Sequence, residues 1–161
     1  MTVRLYDGPE AEAPRTPLEG GLLGWAAVAM LAVCWIVLKI APVSTRPLIR
    51  RFIRVWTGAL FCFFGGVHRG ASFYNPRSPQ LSDPVIFLCL HFFGLSMIMA
   101  PDHVFKRYAP AGMLATLAGE LYLAKQRRLP PFFLRLRPLQ LLAAYGLLIL
   151  ATKDSLKDQT R

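Results

Sequence analysis

Hydrophobic patterning begins abruptly at Gly21, and the eighteen positions to Leu38 carry no charged side chain, with Trp25 and Trp35 near the two ends. About 20 apolar residues cross roughly 30 Å of hydrocarbon, and tryptophan favours the interface with water. The pattern therefore predicts a transmembrane helix over 21–40. Residues 1–20 hold three prolines and no apolar periodicity, which predicts an extended polar arm. A second apolar run, 55–64, follows Pro47 and the cations Arg50, Arg51 and Arg54 and stops at Gly65-Gly66. At about ten residues it is too short to span, so the expectation over 47–67 is an amphipathic helix that dips into the membrane with its arginines at head-group depth.

Residues 70–84 contain three prolines with Asn and Ser between them and predict a loop. Beyond it, 85–100 is mostly apolar but is interrupted by His91 and Gly94. Two predictions stand for 84–128. One is a set of short membrane helices. The other is a small βαβαβ unit at the membrane surface, with strands at 85–90, 103–108 and 120–125 and helices at 92–99 and 111–118. The last segment, 129–161, opens with a basic, proline-punctuated stretch, continues as the apolar run 139–151, short for a span, and ends in a charged tail. The fold class is thus an integral membrane protein, mainly α-helical, with one N-terminal transmembrane helix.

Composition agrees, with 54% hydrophobic residues and a mean hydropathy of +0.39. Nineteen Lys and Arg against nine Asp and Glu give a net charge of +10. The cations stand in short clusters at the ends of apolar runs, an arrangement suited to anionic head groups and not to nucleic acid, which is not expected as a partner. Lys39 to Arg54 is a purely basic stretch, whereas the arm before the first helix is acidic on balance, so the positive-inside bias places the C-terminal end of that helix in the cytosol or matrix. The acidic residues of the arm also fit neither a signal peptide nor a transit peptide. Cys34, Cys62 and Cys89 share no metal-binding spacing and read as buried thiols, and His91 and His103 lack nearby ligands, so no metal and no cofactor is expected. Glu120 within apolar surroundings reads as one half of an ion pair with Lys125 or Arg127.

The order of parts is similar to that of a known family. Arg50-Arg51 to Phe64, the turn Gly65-Gly66-Val67-His68, the proline loop, and Pro84-Val85-Ile86-Phe87-Leu88-Cys89-Leu90-His91 are followed by Phe105-Lys106, Pro110-Ala111-Gly112-Met113-Leu114 and Gly119-Glu120-Leu121-Tyr122-Leu123. Over about half the chain this resembles the membrane-bound lysophospholipid acyltransferases of the 1-acylglycerol-3-phosphate type. In that family a basic membrane-dipping helix precedes a strand ending in a catalytic H-x-x-x-x-D motif. The resemblance implies that His91 stands where the general base would be and Ser96 where its acid would be. A serine supplies no negative charge to an imidazolium, and losing such an acid lowers the rate by on the order of 10⁴. The family's later phosphate-binding motif has no counterpart, so the resemblance implies a truncated, inactive relative.

Function expected from the sequence is therefore that of a non-catalytic accessory subunit of a multi-subunit membrane complex. A mitochondrial inner-membrane respiratory complex or ATP synthase is the assembly expected. Other membrane subunits and a cardiolipin-type anionic phospholipid are the expected partners, the lipid held by Arg50, Arg51, Arg54, His68 and Arg69. The alternative is a lipid-modifying acyltransferase using His91 with Asp102 as its acid.

Overall fold

A computed structural model of the chain describes residues 18–73, 80–129 and 131–157. They form five α-helices: α1 (Leu18–Ile40), α2 (Arg46–Phe73), α3 (Ser82–Met99), α4 (Asp102–Lys125) and α5 (Pro131–Lys157), with a 3-10 turn at Val43–Thr45 between α1 and α2. The helices run up and down in sequence, so α1 and α5 lie parallel, and Gly24 of α1 meets Gln140 of α5. Most of the extended arm expected at 1–20 lies outside the described residues; its last three positions already belong to α1.

Three of the helices are long and apolar enough to cross a membrane: Gly21–Ile40, Ser82–Met99 and Phe132–Lys153. The sequence reading gave one. It stopped the last apolar run short because Arg135 and Arg137 looked like its boundary, whereas both lie inside α5, where Arg137 meets a carboxylate. The βαβαβ parse of 85–125 is also overturned, since no strand occurs among the described residues and the region forms α3 and α4. Its apolar runs lack the strict alternation of a half-buried strand, and a helix pairs its backbone groups internally, as an apolar setting requires. Pro110, which falls between a strand and a helix in that parse, sits in the interior of α4, where it brings no N–H to the helical ladder.

Helix α2 runs 28 residues, through Gly65-Gly66 and on to Phe73, instead of ending at 67. The glycines act as contact points. A Cβ on Gly65 would lie 2.9 Å from the Phe87 carbonyl oxygen of α3, and one on Gly94 of α3 would run into the Gly58 carbonyl of α2 and stand 2.9 Å from the Cys62 nitrogen. Small residues let two helix backbones approach this closely, and α2 and α3 form the tightest pair in the bundle. Above the crossing, Phe61 of α2 meets Phe93 of α3 edge-on at 4.8 Å, and both rings lean on Gly112 of α4. Phe61 and Met113 are fully buried there.

In contrast, the backbones of α3 and α4 scarcely approach each other although the helices are joined by a two-residue link. Their far ends are tied by side chains. Helix α4 closes with the paired bonds of a Schellman turn, Arg127 N–H to the Ala124 carbonyl and Arg128 N–H to the Leu123 carbonyl, with Arg127 at φ 56°. That turn carries Arg128 back to Asp83 and Ser82 on the first turn of α3. Asp83 also accepts from the Gln80 backbone N–H at 2.9 Å, so it ties down the chain leading into α3 while pairing with Arg128.

The Gly58–Gly94 crossing sets a testable contrast. Gly94→Ala should destabilise the protein by about 1–3 kcal/mol, because backbone on the facing helix cannot move aside. Gly66→Ala, whose Cβ would meet nothing within 4 Å, should be neutral or stabilising by up to about 1 kcal/mol through helix propensity. Unfolding of the two variants in detergent micelles titrated with SDS checks the pair; equal losses would remove the crossing as the cause.

Candidate functional site

Glu120 lies about a turn and a half from the end of α4 and is only 4% exposed. Its partner is neither Lys125 nor Arg127, the neighbours in sequence. Arg137 of α5 grips it with two nitrogens, Nη2 donating to Oε1 at 2.6 Å and Nε to Oε1 at 3.1 Å. His68 of α2, also buried, places Nε2 3.4 Å from the same oxygen. Lys125 is exposed at the last residue of α4 and Arg127 lies beyond it, whereas α5 returns antiparallel and brings Arg137 level with the carboxylate. The guanidinium carbon of Arg137 stands 4.1 Å over the Phe64 ring, so its flat face is covered by an aromatic and its edge by the carboxylate.

This cluster stands as a partition between two cavities. On one side, α2, α3 and α4 enclose about 550 Å³, lined by His68, Thr116 and Glu120, by Ser82 at the start of α3, and otherwise mainly by apolar groups such as Ile86, Leu90 and Phe93. Val85, Cys89 and Tyr122, all exposed, form the flanks where this groove opens sideways between α3 and α4. Arg128, paired with Asp83, closes it at the helix ends. On the other side, α1, α2 and α5 enclose about 250 Å³ that Arg137 helps to line. Among the described residues no three His, Cys, Asp or Glu side chains gather as a metal ion would require.

The residues singled out from sequence are dispersed. Arg50 and Arg69 stand on one continuous helix, nineteen residues and thus roughly 28 Å apart at 1.5 Å per residue. The five-residue lipid site therefore does not form. Arg54 is held by the Ala100 carbonyl at 3.1 Å and Asp102 at 2.7 Å. His68 faces Glu120, and Arg69 lies over the Phe73 ring at 4.4 Å and reaches Ser72. His91 and Ser96 share α3, five residues and about 140° apart around its axis, so the strand-to-helix placement implied by the acyltransferase resemblance is not formed. His91 instead faces Phe87 at 5.4 Å, and its carbonyl accepts from the Cys62 thiol. Asp102, the alternative acid, is taken by Arg54. Of the three thiols only Cys34 is buried; Cys62 is half-buried and Cys89 exposed.

Arg137 and Gln140 went unnoticed in the sequence because the proline-punctuated basic stretch 129–137 looked like a connector. The signal that could have found them is an arginine one turn from an uncharged polar residue at the head of an apolar run, facing a lone acid seventeen residues earlier. Comparison with protein-family models, curated proteins and solved structures finds no match to the chain.

Removing one partner of a buried ion pair leaves the other uncompensated and costs about 3–5 kcal/mol, whereas replacing both with apolar groups is often neutral. Glu120→Leu should therefore unfold well below wild type in SDS titration, and Glu120→Leu with Arg137→Leu should recover most of the loss. A double variant as unstable as the single one would show that the cluster is not held by charge compensation.

Proposed function

We propose that this chain is an integral membrane protein and serves as a non-catalytic accessory subunit that holds a lipid chain within a larger membrane assembly. The observation that carries this reading is the open groove between α3 and α4, walled by apolar side chains and sealed at its polar end by groups already engaged with one another. A groove of this shape accommodates an acyl chain entering from the side, and catalysis would call for a charged group with a free face toward it. Large bioenergetic complexes carry many such small helical subunits with lipid between them, and a respiratory complex or ATP synthase of the mitochondrial inner membrane is where we would look for this one. The anionic phospholipid expected from the charge pattern belongs at the basic end, around Lys39, Arg46 and the exposed Arg51, and not at His68.

The positive-inside bias gives the bundle an orientation. Lys39, Arg46, Arg50, Arg51, Arg54, Lys106, Arg107 and Lys153 fall toward the end where α1 finishes, against Arg69, Lys125, Arg127, Arg128, Arg135 and Arg137 toward the other, so a small excess of cations favours the first end as the cytosolic or matrix one. In a chain whose native cysteines are replaced by serine, Thr45→Cys and His103→Cys should be labelled from the same side of sealed membranes and Lys125→Cys from the other. Labelling of Thr45→Cys and Lys125→Cys from one side would sink the spanning arrangement.

The subunit reading is tested by solubilising native membranes in a mild detergent and following the chain on a native gel. It should migrate in a complex far larger than its own 18.0 kDa, with lipid recovered on extraction. A lone chain, stable and monodisperse without partners, would overturn it.

A further inference from the structure

The smaller cavity differs from the groove in kind. Its wall is apolar apart from two side chains of α5, Arg137 and Gln140, and four phenylalanines, Phe63, Phe64, Phe132 and Phe133, border it. Gln140 is 4% exposed, and its Nε2 has no hydrogen-bond partner. The amide fits only because residue 24 on α1 is glycine: a Cβ there would lie 2.9 Å from Oε1 and closer still to Nε2. An unpartnered buried amide costs about 1–3 kcal/mol, and here it borders empty space that a ligand acceptor could fill. Arg137 adds donors of its own, since a guanidinium has five N–H groups and Glu120 engages only Nε and Nη2.

We propose that this cavity binds the head group of a neutral, carbonyl-bearing amphiphile, with its apolar tail running out between the helices. Charge decides against an ionic head group: Arg137 is already neutralised by Glu120, so an anion would enter apolar surroundings uncompensated and a cation would meet Arg137. Hydrogen-bond type decides for a carbonyl, because the amide Nε2 and the guanidinium both donate. Size decides for a head group alone, since about 250 Å³ falls below the range of about 300–1,000 Å³ that encloses a whole small molecule. Two sources offer this chemistry, a quinone ring stacked among the phenylalanines and the ester carbonyls of a diacylglycerol.

The test uses the full chain in phosphatidylcholine nanodiscs with decylubiquinone and dioctanoylglycerol as probes, read by native mass spectrometry and by affinity. One or both should bind at one per chain, and which does so identifies the ring or the ester. Gln140→Leu should weaken binding at least tenfold without lowering thermal stability, because it removes a polar group that has no partner. Gln140→Met serves the same end should the leucine variant not fold. Cys89→Trp, which obstructs the α3–α4 groove, should leave probe affinity unchanged. Binding of neither probe, undiminished binding by both Gln140 variants, or loss of binding on Cys89→Trp would each overturn the proposal. Loss on Cys89→Trp would place the probe in the groove instead, whereas the other two outcomes leave open whether lipid co-purifies there, so the two readings fail separately.

Discussion

Glu120 stands among apolar side chains where an unpaired carboxylate costs several kcal/mol, and the arrangement of the bundle follows from bringing Arg137 and His68 to it. Helix α4 makes little backbone contact with either helix of the α2–α3 pair. It is positioned by α5 on one side and, on the other, by the rings of Phe61 and Phe93 on Gly112 and by the His68 imidazole. Polar contacts then cross between the two halves at three heights: the Arg54–Asp102 ion pair at one end, His68 against Glu120 within, and the Arg128–Asp83 ion pair at the other end. Each cation or imidazole is contributed across a helix boundary, so charge compensation and helix assembly are one event.

The same residues divide the interior. Because the guanidinium of Arg137 faces one cavity and the Glu120–His68 edge the other, two hollows of unlike chemistry lie on either side of a single pair of side chains. The larger offers apolar walls and satisfied polar groups, suited to a hydrocarbon chain. The smaller offers unsatisfied donors among aromatic rings, suited to an acceptor. That contrast comes from Gln140 and Gly24, two residues of no special charge.

What the sequence disclosed, and what it withheld, follows from the range of the forces involved. The first helix long and apolar enough to span was readable because eighteen uncharged residues are a local fact. Helix α5 was misjudged at its start because Arg137 is tolerable in an apolar helix only when Glu120 compensates it, and that pairing is a tertiary fact. Gly65-Gly66 looked like a stop when its role depends on the backbone of α3 lying against one of the two. His91 drew attention through its flanking motif, yet on a continuous helix a spacing of five carries its partner to another face. The cations of α2 read as one cluster in the sequence and their separation was hidden, since a helix of 28 residues is longer than the apolar run within it. The buried acid itself was legible; its partner was not.

The seam between α3 and α4 is joined covalently at one rim by the two-residue link, which Arg54 braces, and at the other by Arg128. Between the rims the two backbones stand apart, and the Phe93 ring on Gly112 bridges them. A seam of this kind behaves like a buttonhole: lateral force widens its middle while both ends stay fastened. On the proposed membrane reading, a slender molecule would slip in edgewise from the surrounding hydrocarbon while both rims stay fastened.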